Sequence, residues 1–419
     1  MSNSKKISIY VFFIFSLFLG FYLGENSSGG SKNDFEVLLP YVKIFEKDFF
    51  EAIQQYVNNP SVLILSPVHY IIVANLNNFF GSFFITKVFY ILLSSVLPLI
   101  FYKILQKKIN ISDDLLFLFS CLIFLSPYFR SSSIWITGDN LSLIFFALSV
   151  LFYLKAMENS SQKINFFLCV TFLILCSYVR YYYALFIFFY FLEFYKKLDL
   201  KWILIILIYC FFVSIPAIFY LYYIVSNNDF FHTASNYSNN RINYLSNFFI
   251  ILSIFLFYLF PFLVFSIKEI FKYYFKNRKP IVILYSFLLL YISLDLILYL
   301  IQIEFSIYGG GVFVKLFELL NFDLKISIFV LSFFAILAID FFFKDNRKKN
   351  YLLLLITIFC FPIFSIFQKY FDPLFYILFF GLFSFKKFNE IIKLDLKKLS
   401  FIYAYFSFFL IFAINYYQS

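Results

Sequence analysis

The chain has 419 residues, 63% hydrophobic and only 14% charged, with a mean hydropathy of +0.87. A water-soluble domain averages roughly 25% charged residues, so a soluble enzyme or binding module is excluded. Uninterrupted apolar runs reach the ~20 residues that cross a bilayer, and they do not alternate with period two as barrel strands do. The expected fold class is all-α: a polytopic membrane protein of about 13 transmembrane helices.

The net charge of +11 is no nucleic-acid signature. Lys and Arg sit in short clusters between apolar runs, the distribution that orients a protein in a membrane. Met1 to Lys6 is basic and 7–23 is apolar. No small-residue cleavage site follows, so this reads as a retained first span with the N-terminus cytoplasmic. The stretch 24–81 then lies outside, bearing two surface helices. Further spans follow at 85–105, 115–136 and 141–154. As a single helix, 164–195 would be ~48 Å long at 1.5 Å per residue, so it reads as two helices turning near Ser177 to Arg180. Beyond it come 202–225, 248–267, 281–303, 325–343, 351–367, 374–385 and 399–417. The inward turns, such as the one with Lys344, Arg347, Lys348 and Lys349, hold most of the 34 Lys and Arg. The whole is read as one integral membrane domain, 1–419, in three stretches: the loop 24–81, a helical module 82–200 and a helical bundle 201–419. No internal repeat is visible, and the halves do not mirror each other as in many transporters.

The five cysteines, Cys121, Cys169, Cys176, Cys210 and Cys360, all fall in apolar segments and read as small core residues. No set of residues has metal-ligand spacing, so no cofactor is expected; a divalent metal is compatible with the chain but not indicated by it. The 71 Phe and 35 Tyr reflect coding bias rather than function.

The loop 24–81 is the main polar stretch and holds Glu25, Asp34, Glu36, Glu46, Asp48 and Glu51. Over 41–56, Tyr41, Phe45, Phe49, Ala52, Ile53 and Tyr56 share one helical face, opposite Lys43, Lys47, Glu51 and Gln54. This is the pattern of a helix lying on a bilayer surface, with Pro40 near its start. Asn33 and Glu36 have capping-box spacing, and Asp34 would then sit on the helix dipole. The competing reading makes Asp34 a general base at the membrane boundary, with Glu36 beside it. His69 suits a hydrogen-bonded core residue as well as a catalytic one, and His232 falls in a polar loop. Asp139 could cap the following helix, whereas Arg180 lies in an apolar stretch where charge is costly and commonly functional. Asp295 lies within a span.

In order and sidedness, these motifs resemble the GT-C class of polyprenyl-phosphate-sugar-dependent membrane glycosyltransferases, which includes protein O-mannosyltransferases and aminoarabinose transferases. The first span leads into a loop with an acidic pair, Asp34-Phe35-Glu36, or alternatively Glu46-Lys47-Asp48. A Pro-containing apolar helix follows, Ser66-Pro67-Val68-His69-Tyr70, with one Pro where many relatives have two. Then come Thr137-Gly138-Asp139-Asn140-Leu141 and the break Ser177-Tyr178-Val179-Arg180-Tyr181. The likeness covers residues 1 to about 200 and implies an extracytoplasmic site in a bacterial inner membrane. There a sugar would pass from a polyprenyl-phosphate donor to a glycan, lipid or protein acceptor. It implies Asp34 as general base, with Asp139 secondary, and support from Glu36, Glu46, Asp48 and His69. Lys369, Arg180, Arg130 and Arg241 would hold the leaving phosphate. Membrane lipids are expected partners and nucleic acid is not. The rival readings are a transporter or lipid-glycan flippase, working through residues such as Asp295, and a polysaccharide polymerase or ligase.

Overall fold

A computed structural model describes residues 1–57, 66–227, 244–277, 309–361, 365–385 and 394–418, together with scattered positions between 282 and 289. Arg241, His232 and Asp295 lie outside the described residues. The described residues are helical almost throughout, and the chain divides into two compact units. One comprises Met1–Tyr237, Asp372–Gly381 and Tyr403–Ser419; the other comprises Ser238–Phe371 and Leu382–Ile402.

Among the described residues, seven helices are long and apolar enough to cross a bilayer, or eight if one bent pair counts as a span. In the first unit these are α1 (Asn3–Tyr22), the run of α5 (Phe83–Ser94) and α6 (Val96–Lys108), α9 (Gly138–Glu158) and α12 (Leu200–Asn227). The larger number expected above counts helices such as Ile164–Val179 and Arg347–Phe359, which are shorter than a straight crossing requires. The expected span at 115–136 is bent by 65° between Asp113–Leu125 and Pro127–Ile134. Pro127 has no N–H to continue a helix, and Ser126 starts a new one by accepting from the Phe129 N–H at 2.9 Å. The pieces are α7 (Asp113–Ser120), a 3₁₀ turn and α8 (Pro127–Ile134). The apolar stretch from 164 does divide, into α10 (Ile164–Val179), a 3₁₀ turn and α11 (Phe186–Phe194), with Arg180 at the break.

Charged pairs in this unit collect at two sets of helix ends. At one set, Lys6 pairs with Asp113 and Asp114 at 2.5 and 2.9 Å, the N-terminus pairs with Asp114, and Lys107 pairs with Glu158 at 2.5 Å. At the other, Glu25 pairs with Arg130 and Asp139 with Arg180, at 2.6 and 2.9 Å. Helices α1 and α9 each run from one set to the other.

The first loop departs from its expected form in four ways. Its first helix, α2 (Ser31–Phe45), begins ten residues before Tyr41, and Pro40 lies inside it. The capping-box reading fails, because Asn33 is already helical; the Ser31 N–H is taken by the Ser28 hydroxyl at 3.2 Å. The expected single helix over 41–56 is two, since α3 (Phe49–Val57) restarts after Asp48, whose carboxylate accepts from the N–H groups of Phe50 and Glu51. Its apolar face is packed against protein rather than lipid: Val42, Phe45, Ala52 and Tyr56 join Tyr70, Val73 and Ala74 of α4 (Val68–Phe80) in one core. Phe49 and Phe50 remain exposed, and they are what this segment offers to a bilayer.

In the second unit the helix Tyr244–Asn277 packs on Leu324–Phe343. Strands β1 (Gly309–Gly310) and β2 (Ile366–Phe367) form one parallel pair. Just beyond β2, Gln368 accepts from the Val312 N–H at 2.8 Å and donates to Tyr258.

Candidate functional site

Three of the expected residues meet where α9 begins. Asp139, in the first turn of α9, accepts from Arg180 Nη2 at 2.9 Å and from the Thr137 hydroxyl at 3.1 Å. A carboxylate in the first turn also complements the partial positive charge of the helix N-terminus. Arg180 reaches it from the break after α10, where its backbone has turned extended. His69 enters from α4. Gly138 allows this convergence, because a Cβ there would lie 3.2 Å from both the His69 and Val179 side chains.

The approach to α9 is strained. Ile136 has φ +49°, a conformation costing of order 1–3 kcal/mol for a β-branched residue. Two hydrogen bonds hold it: His69 Nε2 donates to the Ile136 carbonyl at 2.8 Å, and the Tyr90 hydroxyl donates to the Thr137 carbonyl at 2.6 Å. A carbonyl can only accept, so this contact fixes the proton on Nε2 and leaves Nδ1 as an acceptor. Nδ1 is buried and has no hydrogen-bond partner among the described residues.

Burial pulls the His69 pKa down to about 4; its bond to Ile136 and the Asp139 charge oppose this, while Arg180 adds to it. The ring is therefore neutral at pH 7. Unfolding would return it to about 6.5, so the unfolded chain binds the extra proton between those values. Stability is thus full above about pH 6.5 and is lost as pH falls towards 4, by on the order of 3 kcal/mol. His69→Gln should flatten that part of a pH–stability profile, measured by thermal unfolding in detergent.

Tyrosines line the same region. Burial pushes the Tyr70 hydroxyl pKa up; Arg180 pulls it down, while Asp139 and then Asp34 push it further up. Burial likewise raises Tyr56, and Arg180 opposes it. Asp34 thus acts electrostatically on the tyrosine that also feels Asp139 and Arg180. It is exposed in the first turn of α2.

The remaining expected residues have other surroundings. Glu36 is exposed and lies 3.9 Å from Lys32. Glu46 accepts from Asn77 at 2.8 Å, tying the α2–α3 turn to α4. Asp48 caps α3, so Glu46-Lys47-Asp48 holds local structure rather than forming a second acidic pair. Arg130 is buried, donating to Glu25 through Nε and Nη2 at 2.8 and 2.6 Å and to Ser16 through Nη1 and Nη2 at 3.0 Å. With its fork committed in this way, Arg130 is not placed to take a phosphate. Lys369 belongs to the second unit and lies 5.7 Å from the Tyr370 ring centre. Among the described residues, no group of three or more His, Cys, Asp or Glu could hold a metal ion.

Sequence reasoning missed the buried partner of Arg130. Glu25 counted only as part of an acidic loop, yet it is 4% exposed and Ser27 is fully buried against it. The available signal was the Ser-rich run around Arg130, Arg130-Ser131-Ser132-Ser133, which is polar within an apolar stretch and needs internal partners.

No family model matches the chain, and no curated protein or solved structure matches it, so what this site does has to be argued from its own side chains.

Proposed function

We propose that the chain is an integral membrane glycosyltransferase that moves a sugar from a polyprenyl-phosphate donor to a glycan, lipid or protein acceptor at the extracytoplasmic face. The observation that carries this reading is the meeting of Asp139, Arg180 and His69, from three separate segments, at the start of α9. Arg180 offers a planar fork suited to a leaving phosphate, with Asp139 holding the guanidinium in place. Asp34, accessible from solvent, is the general base that takes the proton of the acceptor hydroxyl as its oxygen attacks the anomeric carbon. The bond from that carbon to the phosphate oxygen breaks, and Arg180 neutralises the departing phosphate.

Sidedness is supported by the two groups of charged pairs. The group with Lys6 and Lys107 belongs to the turns expected inside, and the group with Arg130 and Arg180 to those expected outside. An N-cytoplasmic topology of about 13 spans, counting the shorter helices, remains the topology of this reading.

The test compares lipid-linked sugars and envelope glycans by mass spectrometry with and without the protein, then assays the purified chain. Polyprenyl-linked sugar should accumulate in its absence. Asp34→Asn should lower transfer about 10²–10⁴-fold; a folded Asp34→Asn protein with full activity would remove Asp34 from the mechanism.

A further inference from the structure

Near the start of α2, Phe35 is the one side chain of residues 32–37 withdrawn from solvent: Lys32, Asn33, Asp34, Glu36 and Val37 are exposed, whereas Phe35 is half-buried. Its ring packs against those of Trp135 and Phe83, with centres 6.2 and 5.7 Å away. The Lys87 ammonium, reaching in from α5, sits 4.8 Å from the ring centre of Phe35, 5.3 Å from that of Trp135 and 5.7 Å from that of Phe83. One cation therefore joins rings from α2, from α5 and from the residue that ends α8.

Ring faces attract an ammonium through their quadrupole, most strongly where water is partly excluded. Lys87 is itself half-buried, and among the described residues no carboxylate lies within ion-pair distance of it, so its charge is met by the rings. The base of this box is fixed, because Trp135 donates its indole N–H to the Glu25 carbonyl at 2.8 Å. Lys32, also from α2, lies 5.7 Å from the same indole. Trp135 shortly precedes Asp139, the carboxylate that aligns Arg180, in the chain. Asp34 and Phe35 are successive residues, about 100° apart around the helix. Lodging Phe35 in the box therefore sets the direction that Asp34 takes.

We propose that Lys87 is a positioning residue for the general base: by holding Phe35 against Trp135 and Phe83, it fixes the rotation of α2 about its axis and so the place of Asp34 relative to Arg180. The inference rests on the reading of Asp34 as the base. It adds that the base and the leaving-group cation are aligned from one support, the segment that runs from Trp135 to Asp139.

The test uses the full-length protein, with polyprenyl-phosphate sugar extracted from cells lacking it as donor and the membranes of those cells as acceptor. Lys87→Met keeps the length of the side chain but not its charge. It should lower kcat about tenfold, the scale of one partly desolvated cation–π contact, and leave KM for the donor near the parent value. Lys87→Arg keeps a cation on the rings and should recover most of the loss. In an Asp34→Asn background, Lys87→Met should cost nothing further, because no base is left to position. Equal fold losses in both backgrounds, as a plain folding defect would give, would overturn the positioning role. Full activity of Asp34→Asn by itself would instead overturn the base. Hydrogen exchange gives a readout apart from activity: the amides of residues 34–37 should exchange faster in Lys87→Met and at the parent rate in Lys87→Arg. Unaltered exchange there in Lys87→Met would overturn the claim that this cation holds α2.

Discussion

Arg180→Gln is expected to cut transfer from a polyprenyl-phosphate sugar by about 10²–10³-fold, the scale of removing one preorganised donor from a developing anion. The guanidinium is held 2.9 Å from Asp139, so it needs no reorganisation when the phosphate departs. Arg180→Lys keeps the charge but loses the fork and should recover only part of the activity. Asp139→Asn should cost less, about tenfold, because it leaves Arg180 in place but weakens its alignment. The double variant should be no worse than Arg180→Gln alone, since a positioning residue has nothing left to position. Near-normal kcat in Arg180→Gln would take the leaving-group role from this residue. The same variants separate the rival readings. A transporter that works through Asp295 would keep its transport in Arg180→Gln. Deleting residues 41–56 would not separate them, because it removes Phe45, Ala52 and Tyr56 from the core and would damage either kind of protein.

What could be read from the sequence divides along physical lines. Apolar run length fixes where helices lie, because a helix is the form in which a single segment satisfies its own backbone in lipid; α9 and α12 follow from that alone. The break at Arg180 was legible too, since a charge and excess length coincide there. The core beneath the first loop was not. An amphipathic face at 41–56 reads alike whether it meets lipid or protein, and only the position of Val73 and Ala74 of α4 decides that it is protein. Asn33 and Glu36 have capping-box spacing, but the helix already starts at Ser31, whose N–H is taken by the Ser28 hydroxyl, a choice made by the fold around Ser131, to which the Ser28 hydroxyl also bonds at 2.9 Å. Asp139 and Arg180 were singled out for separate reasons, helix capping and burial cost. That they face each other is a long-range fact which no local pattern encodes.

The second large effect concerns Glu25 and Arg130. Their side chains are 5% and 8% exposed, and each satisfies the other's charge in a bidentate pair. Removing one partner leaves an uncompensated charge in a low-dielectric interior, which costs about 3–5 kcal/mol. Both Glu25→Gln and Arg130→Met should therefore lower the melting temperature in detergent markedly. Combining them should restore part of the loss, because no charge is then stranded; that sign of coupling distinguishes the buried pair from two unrelated contacts. The damage should also be local first. Gly20 lies so close that a Cβ there would fall 2.3 Å from the Glu25 carboxylate, and the Glu25 carbonyl anchors Trp135. Losing the pair should loosen the turn at residues 24–30 before the bundle melts, and limited proteolysis should cut there in either single variant but not in the parent. A Glu25→Gln protein that melts with the parent and resists cleavage at 24–30 would mean that Arg130 finds other partners, and that the pair does not hold the loop to α8.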